Sequence, residues 1–228
     1  MTNTPRLAAL TCVALLAAAP VARADEKADA LLKEVAAATQ AAKTLIADIE
    51  MSAQIQGKTI KGTGTVTLQK PNFARLVLAG DVAQTVASDG KTIWLVNGGQ
   101  YRKVEAKPEG ENIQASWALP VSYFFVPMTA VFFDPNSPGE TRYVGTETIS
   151  GKTFSVVSIT GDKPTPYTLT MYIGPDKLFH RMAAEVKQKG GETRKFQAAL
   201  KNVQTGTRVP VSTFAYTPPK NAREATGP

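Results

Sequence analysis

The 228-residue chain has one cysteine, Cys12, and one histidine, His180. Cys12 falls in the first two dozen residues. A mature chain without that segment has no thiol, which excludes disulfides, thiolate metal sites and cysteine nucleophiles together. A lone histidine with no nucleophile elbow beside it, and carboxylates with no ligand spacing, offer neither a catalytic constellation nor a metal site. The expectation is therefore a protein with no catalytic residue, no metal and no cofactor. Long apolar runs are also missing: none reaches the roughly 18–20 residues that a bilayer crossing needs.

The first 24 residues have a different purpose. Arg6 stands in a short polar start, an apolar run follows from Leu7 to Ala19, and Pro20 precedes the small-residue exit Ala22-Arg23-Ala24. This is the pattern of a secretory signal peptide cleaved after Ala24, which predicts an exported, soluble chain. Cys12 lies too early in the run to serve as a lipid-modified cysteine. The formal charge of +7 is carried by 26 cations and 19 anions, and losing Arg6 and Arg23 leaves 24 against 19. A balance this mild permits contact with anionic lipid surfaces and fits an ordinary lysine-rich surface equally well.

From Asp25 to about Ala42, Leu31, Leu32, Val35 and Ala38 recur at helical spacing in an Ala-, Glu- and Lys-rich stretch, predicting one amphipathic helix. Alternation then takes over. Strands are expected at residues 45–55, 59–69, 73–79, 82–88, 92–96 and 101–105, and after an interruption at 143–150, 152–161, 167–173, 178–189 and 192–203, separated by glycine-containing turns. Gly62 and Gly64 inside the second strand mark a sharp bend or a close approach. The interruption holds the most aromatic stretch of the chain, from Trp117 to Phe133. There Pro120 and Pro127 leave room for only one or two short apolar helices. Phe214 to Ala222 reads as a brief strand stopped by Pro218 and Pro219, with 223–228 fraying. The predicted organisation is a signal peptide (1–24), one domain (25–222) and a frayed tail (223–228). The fold class is mainly β with a few helices.

A strongly curved antiparallel sheet with one apolar face must be covered, and only the N-terminal helix and the aromatic insertion are on hand to cover it. Incomplete filling would leave an apolar cavity suited to acyl chains. The order of Gly62-Thr63-Gly64, Lys70-Pro71-Asn72-Phe73-Ala74-Arg75, Ser88-Asp89-Gly90-Lys91-Thr92-Ile93-Trp94, Tyr143-Val144-Gly145 and Phe214-Ala215-Tyr216-Thr217-Pro218-Pro219 resembles the outer-membrane lipoprotein carrier (LolA/LolB-like) superfamily, and within it the branch of predicted periplasmic proteins. The resemblance covers the mature chain. It implies a periplasmic half-open β-barrel that shelters acyl chains, with Arg75 at the position of an arginine that latches the lid.

The lipid-lining set that follows is Trp94, Trp117, Phe124, Phe125, Phe132, Phe133, Leu169 and Met171. Each of these aromatics taken singly fits an ordinary core better than a lipid site, and Arg75 reads also as a strand arginine facing water. His180 is placed on the strand face of Leu178, Met182 and Val186, while Asp48 and Glu50 share a solvated face. Lys187, Lys189, Arg194 and Lys195 make a basic hairpin tip that either touches anionic headgroups or protects a sheet edge. The expected partners are lipid or lipoprotein acyl chains, an inner- or outer-membrane partner protein and transient membrane-surface contact, with no nucleic acid. Two functions stay open: a lipid or lipoprotein carrier, and a periplasmic interaction or sensor module of the same fold with a filled core.

Overall fold

The computed structural model describes residues 25–81, 83–106, 139–162, 165–188 and 190–225. The expected signal peptide and the aromatic insertion with its short helices lie outside these residues.

Helix α1 (Glu26–Ala41) is capped by Asp25, whose Oδ1 accepts the Lys27 and Ala28 amides at 3.1 and 3.2 Å. Its buried face is Ala28, Leu31 and Val35, three and four residues apart. Beyond Ala42 the backbone is extended and runs directly into β1 (Thr44–Ile55). Then follow β2 (Lys58–Gln69), β3 (Phe73–Gly80), β4 (Gln84–Asp89), β5 (Thr92–Asn97) and β6 (Gln100–Glu105). After residues 107–138 come β7 (Glu140–Ile149), β8 (Lys152–Gly161), β9 (Tyr167–Ile173), β10 (Phe179–Lys187), β11 (Thr193–Thr205) and β12 (Arg223–Glu224).

All twelve strands form one sheet in the order β12-β6-β5-β4-β3-β2-β1-β11-β10-β9-β8-β7. Every pairing is antiparallel except that of β12 with β6. Three hairpins close on two-residue turns whose central residues both have positive φ: Gln56-Gly57, Gly98-Gly99 and Ser150-Gly151. Such turns carry the twist that antiparallel strands need. At Gly64 the requirement is close approach, because a Cβ there would fall onto the Val77 carbonyl of β3.

Alternation sorts the sheet into two faces. On one, Ile49, Met51 and Ala53 of β1, Leu76 and Leu78 of β3, Val86, Ile93, Val157, Ile159, Leu169, Met171 and Phe196 join α1 in a continuous core. In β9 the expected alternation holds: Leu169, Met171 and Ile173 are buried, while Thr168, Thr170 and Tyr172 are turned the other way. The opposite face is polar at mid-sheet. There Asp48 accepts from Asn202 and Glu50 pairs with Lys201, both at 2.6 Å.

Three expectations are corrected. The stretch from Phe214 to Ala222 is not a strand: Val211–Phe214 make one 3₁₀ turn, and a second turn at Lys220 and Asn221, closed by the Ala222 amide on the Pro219 carbonyl, precedes Arg223. The strand comes after the two prolines, at Arg223–Glu224, so the first two residues of the tail expected to fray are instead paired with Gln100 and Tyr101. His180 does not share the face of Met182 and Val186. A bulge between Phe179 and Arg181 turns it aside, and its ring meets that of Phe154, 5.6 Å away. It bonds Asp176 at 3.0 Å and so fastens the β9–β10 turn.

Candidate functional site

The apolar face and the helix across it form the candidate site. Although α1 buries only a narrow apolar stripe, polar contacts hold it along its whole length. At its start Asp25 Oδ2 accepts the Tyr143 amide of β7 at 2.6 Å, Thr141 donates to Asp29 at 2.9 Å, and the Lys27 ammonium sits 3.8 Å over the Tyr143 ring. Midway, Glu34 pairs with Lys177 of the β9–β10 turn at 2.6 Å. At its end the ammonium of Lys70, in the β2–β3 turn, donates to the Thr39 carbonyl at 3.2 Å and also to that of Gln40. A cation on the last carbonyls complements the negative end of the helix dipole. The Tyr143 amide, helped by those of Ala28 and Lys27, holds the Asp25 carboxyl below the ordinary carboxylate range against a smaller opposing effect of burial.

The sequence-predicted site residues are divided between the two faces. Leu169 and Met171 are wholly buried in the core that α1 joins. Trp117, Phe124, Phe125, Phe132 and Phe133 lie outside the described residues. Arg75 and Trp94 belong to the other face. Arg75 stands between Ala74 and Leu76, both buried on the core side, so alternation points it away from α1. Trp94 shares that side, since Arg75 is opposite Ala87 and Ala87 opposite Trp94. Arg75 therefore faces away from α1, and Trp94 lies on the face opposite the one that holds Leu169. The contact that fastens the helix end is made by Lys70, five residues earlier, in the same Lys-Pro turn.

What Arg75 and Trp94 meet is the C-terminal segment, which crosses the outer side of the sheet as a strap. It leaves β11 at Gly206, where the Thr44 hydroxyl donates to the Thr207 carbonyl at 2.9 Å, and it ends beside β6. On the way Phe214, with no exposed surface, packs on Phe73 with ring centroids 5.3 Å apart. The Tyr216 ring lies 6.1 Å from that of Trp94 and 5.3 Å from the Arg75 guanidinium carbon. Nη1 of Arg75 is sealed from solvent and has no protein acceptor, so the Tyr216 ring face is its electrostatic partner. The strap thus makes a second, smaller core around Ala87.

A third arrangement lies on the outer face of β7–β10. Burial, reinforced by the neighbouring Glu147 carboxylate, raises the Tyr172 hydroxyl above its ordinary range, while Arg181, over the ring at 5.6 Å, opposes this. Among the described residues no group of three or more His, Cys, Asp or Glu side chains could hold a metal ion, and no helix is long and apolar enough to cross a membrane.

The fold has known counterparts. An uncharacterized conserved protein from Thermus thermophilus matches with a TM-score of 0.52 at 10% identity, over 88% of this chain and 99% of that one. Lipoprotein LppX of Mycobacterium tuberculosis matches with a TM-score of 0.48 at 15% identity, over 80% and 98%. A LolA superfamily protein from Nitrosomonas europaea matches with a TM-score of 0.36 at 9% identity, over 83% and 97%. No curated protein matches the sequence. The model of one family matches residues 28–226, nearly all of α1 and the whole sheet, and the chain accordingly belongs to the predicted periplasmic proteins of family DUF2092.

Proposed function

We propose that the protein is an exported periplasmic carrier that shelters acyl chains between the apolar face of its sheet and the elements that cover it. The observation that carries this reading is the mismatch between face and cover. The apolar face runs from Ile93 on β5 to Val157 on β8 and is buried throughout, whereas α1 contributes only Ala28, Leu31, Val35 and, in part, Leu32 to that cover and is otherwise held by polar contacts. A helix fastened by hydrogen bonds and ion pairs costs less to lift than one held by apolar interdigitation, because water replaces polar contacts and does not replace apolar ones.

A strongly curved, half-open barrel is part of this proposal. It is supported by Gly64, where only a missing side chain lets the β3 backbone come so close. The reach of α1 supports it as well. Sixteen residues span about 24 Å, yet the helix is tied at one end to β7 and at the other to the β2–β3 turn. β2 lies six strand positions from β7, about 29 Å across a flat sheet. A chord shorter than its arc is what curvature produces. The aromatic set Trp117, Phe124, Phe125, Phe132 and Phe133 is proposed to complete the cover and, with Leu169 and Met171, to line the space. Cleavage after Ala24 would deliver the chain to the periplasm. Cargo affinity would come from apolar burial at roughly 25 cal/mol per Å², without cofactor or metal.

The test is titration of delipidated mature protein with a fluorescent fatty acid. Saturable uptake near one probe per chain is expected. A protein that takes up no probe contradicts the carrier reading and directs the search to a protein partner in the periplasm.

A further inference from the structure

We infer that Arg194 anchors the head of an anionic single-chain amphiphile whose tail lies on the apolar face, an inference that rests on the carrier reading and specifies its ligand. Arg194 is opposite Val186 and two residues before Phe196, and both of these belong to the core. Alternation therefore places the arginine on the apolar face, at the end of the sheet closed by the β10–β11 and β1–β2 turns. Phe196 is in turn opposite Ala53, and Ala53 opposite Ile60, so the residues beside the guanidinium are apolar across four strands, and Val186, Phe196 and Ala53 are buried there.

Nε of Arg194 is sealed from solvent with no hydrogen-bond partner, although the side chain as a whole keeps 34% of its surface open. The carboxylate that faces it, Glu192, is 3.9 Å away, beyond hydrogen-bonding reach, and its Oε1 already accepts the Gln56 amide at 2.8 Å. The neighbouring cation Lys195 points to the other face, where it pairs with Glu185 at 2.9 Å. The helix lies elsewhere: it starts over β7, four strand positions from β11, and finishes at Lys70 at the opposite end of the sheet. Arg194 is thus a cation at the rim of the buried apolar face with a donor left unsatisfied, where a tail would take the place of part of the cover. A planar guanidinium in that position matches a carboxylate or phosphate oxyanion carried on an acyl chain.

Calorimetric titration of the delipidated, full-length mature protein with dodecanoate, methyl dodecanoate and inorganic phosphate tests this. The wild type is expected to bind dodecanoate about tenfold more tightly than the neutral ester and phosphate only weakly, as one charge-assisted contact implies. Arg194→Gln should erase the preference while leaving ester binding and the unfolding midpoint unchanged, and Arg194→Lys should keep part of it. Equal affinities in the wild type, or a preference that survives Arg194→Gln, would overturn the anchor and leave the carrier reading standing. Phosphate binding as tight as dodecanoate binding would also overturn it, by revealing a site for free anions. Failure of both dodecanoate and its ester to bind would remove the carrier reading, and the anchor with it.

Discussion

Lys70 donates to the Thr39 carbonyl at 3.2 Å and so ties the β2–β3 turn to the end of the helix that crosses the sheet. Replacing the ammonium-bearing chain by a methyl group, Lys70→Ala, removes a cation from the helix terminus and leaves two carbonyls to water. We expect a loss of about 0.5–1 kcal/mol, read as a lower urea midpoint. Hydrogen exchange should speed up in the last turn of α1 and remain unchanged in β9. Arg75→Ala should leave those helix amides protected, because Arg75 faces the strap.

At the other end of the helix, Asp25 supplies a pH dependence. Its carboxyl titrates lower in the folded protein than in the unfolded chain, first because the Tyr143 amide bonds the ionised form. The contribution is complete above the unfolded value, about 3.9, and is lost as pH falls through the folded value. Asp25→Asn keeps an oxygen for the helix cap but gives up the charge. The variant should be less stable than wild type at pH 7, and the gap between their denaturant midpoints should close as pH drops below about 4.

The strap has its own signature. Phe214 has no exposed surface, so Phe214→Ala should cost about 3–5 kcal/mol, detected as a lower unfolding midpoint. Tyr216→Leu keeps apolar volume and removes the ring beneath Arg75, and should cost about 1–2 kcal/mol. Both variants should expose the β6 backbone to hydrogen exchange, since the strap ends in the pairing of Arg223 with Gln100.

Gly64→Ala should cost about 1–3 kcal/mol or more, because the added methyl meets the Val77 carbonyl, backbone that cannot rotate out of its way. Thr65→Ala, one residue on and exposed, should stay within about 0.5 kcal/mol of wild type. Equal effects of the two in a thermal unfolding series would contradict the close approach.

Much of the fold could be read from the sequence where one physical signal dominates. Leu169, Met171 and Ile173 alternate with polar neighbours because one side of β9 is core and the other is not. Asp25, followed by a periodic Leu31 and Val35, marks the start of α1 for the same reason. The strap was not legible. Phe214 and Tyr216 alternate like a strand because both pack against the sheet, but Pro218 and Pro219 have no amide to pair, the Ala222 amide turns back to the Pro219 carbonyl, and pairing begins only at Arg223, whose partner Gln100 is far away in sequence. That hidden cover also explains Arg75 and Trp94. Both sides of β3 are half apolar, Phe73 and Val77 on one and Leu76 and Leu78 on the other, so composition does not reveal which side the helix takes. The parity of Ala74, Leu76 and Leu78 was the available clue. Lys70 entered the sequence reading only as part of the Lys-Pro motif, since a contact with carbonyls some thirty residues back leaves no local trace.

The carrier proposal is tested most directly by native mass spectrometry of mature protein taken from the periplasm without detergent, followed by organic extraction and lipid identification. The account predicts a stoichiometric acyl species that is lost when Phe124 and Phe125 are replaced by serine while the unfolding midpoint is retained. Protein that emerges at its bare polypeptide mass, with no extractable lipid, would contradict it.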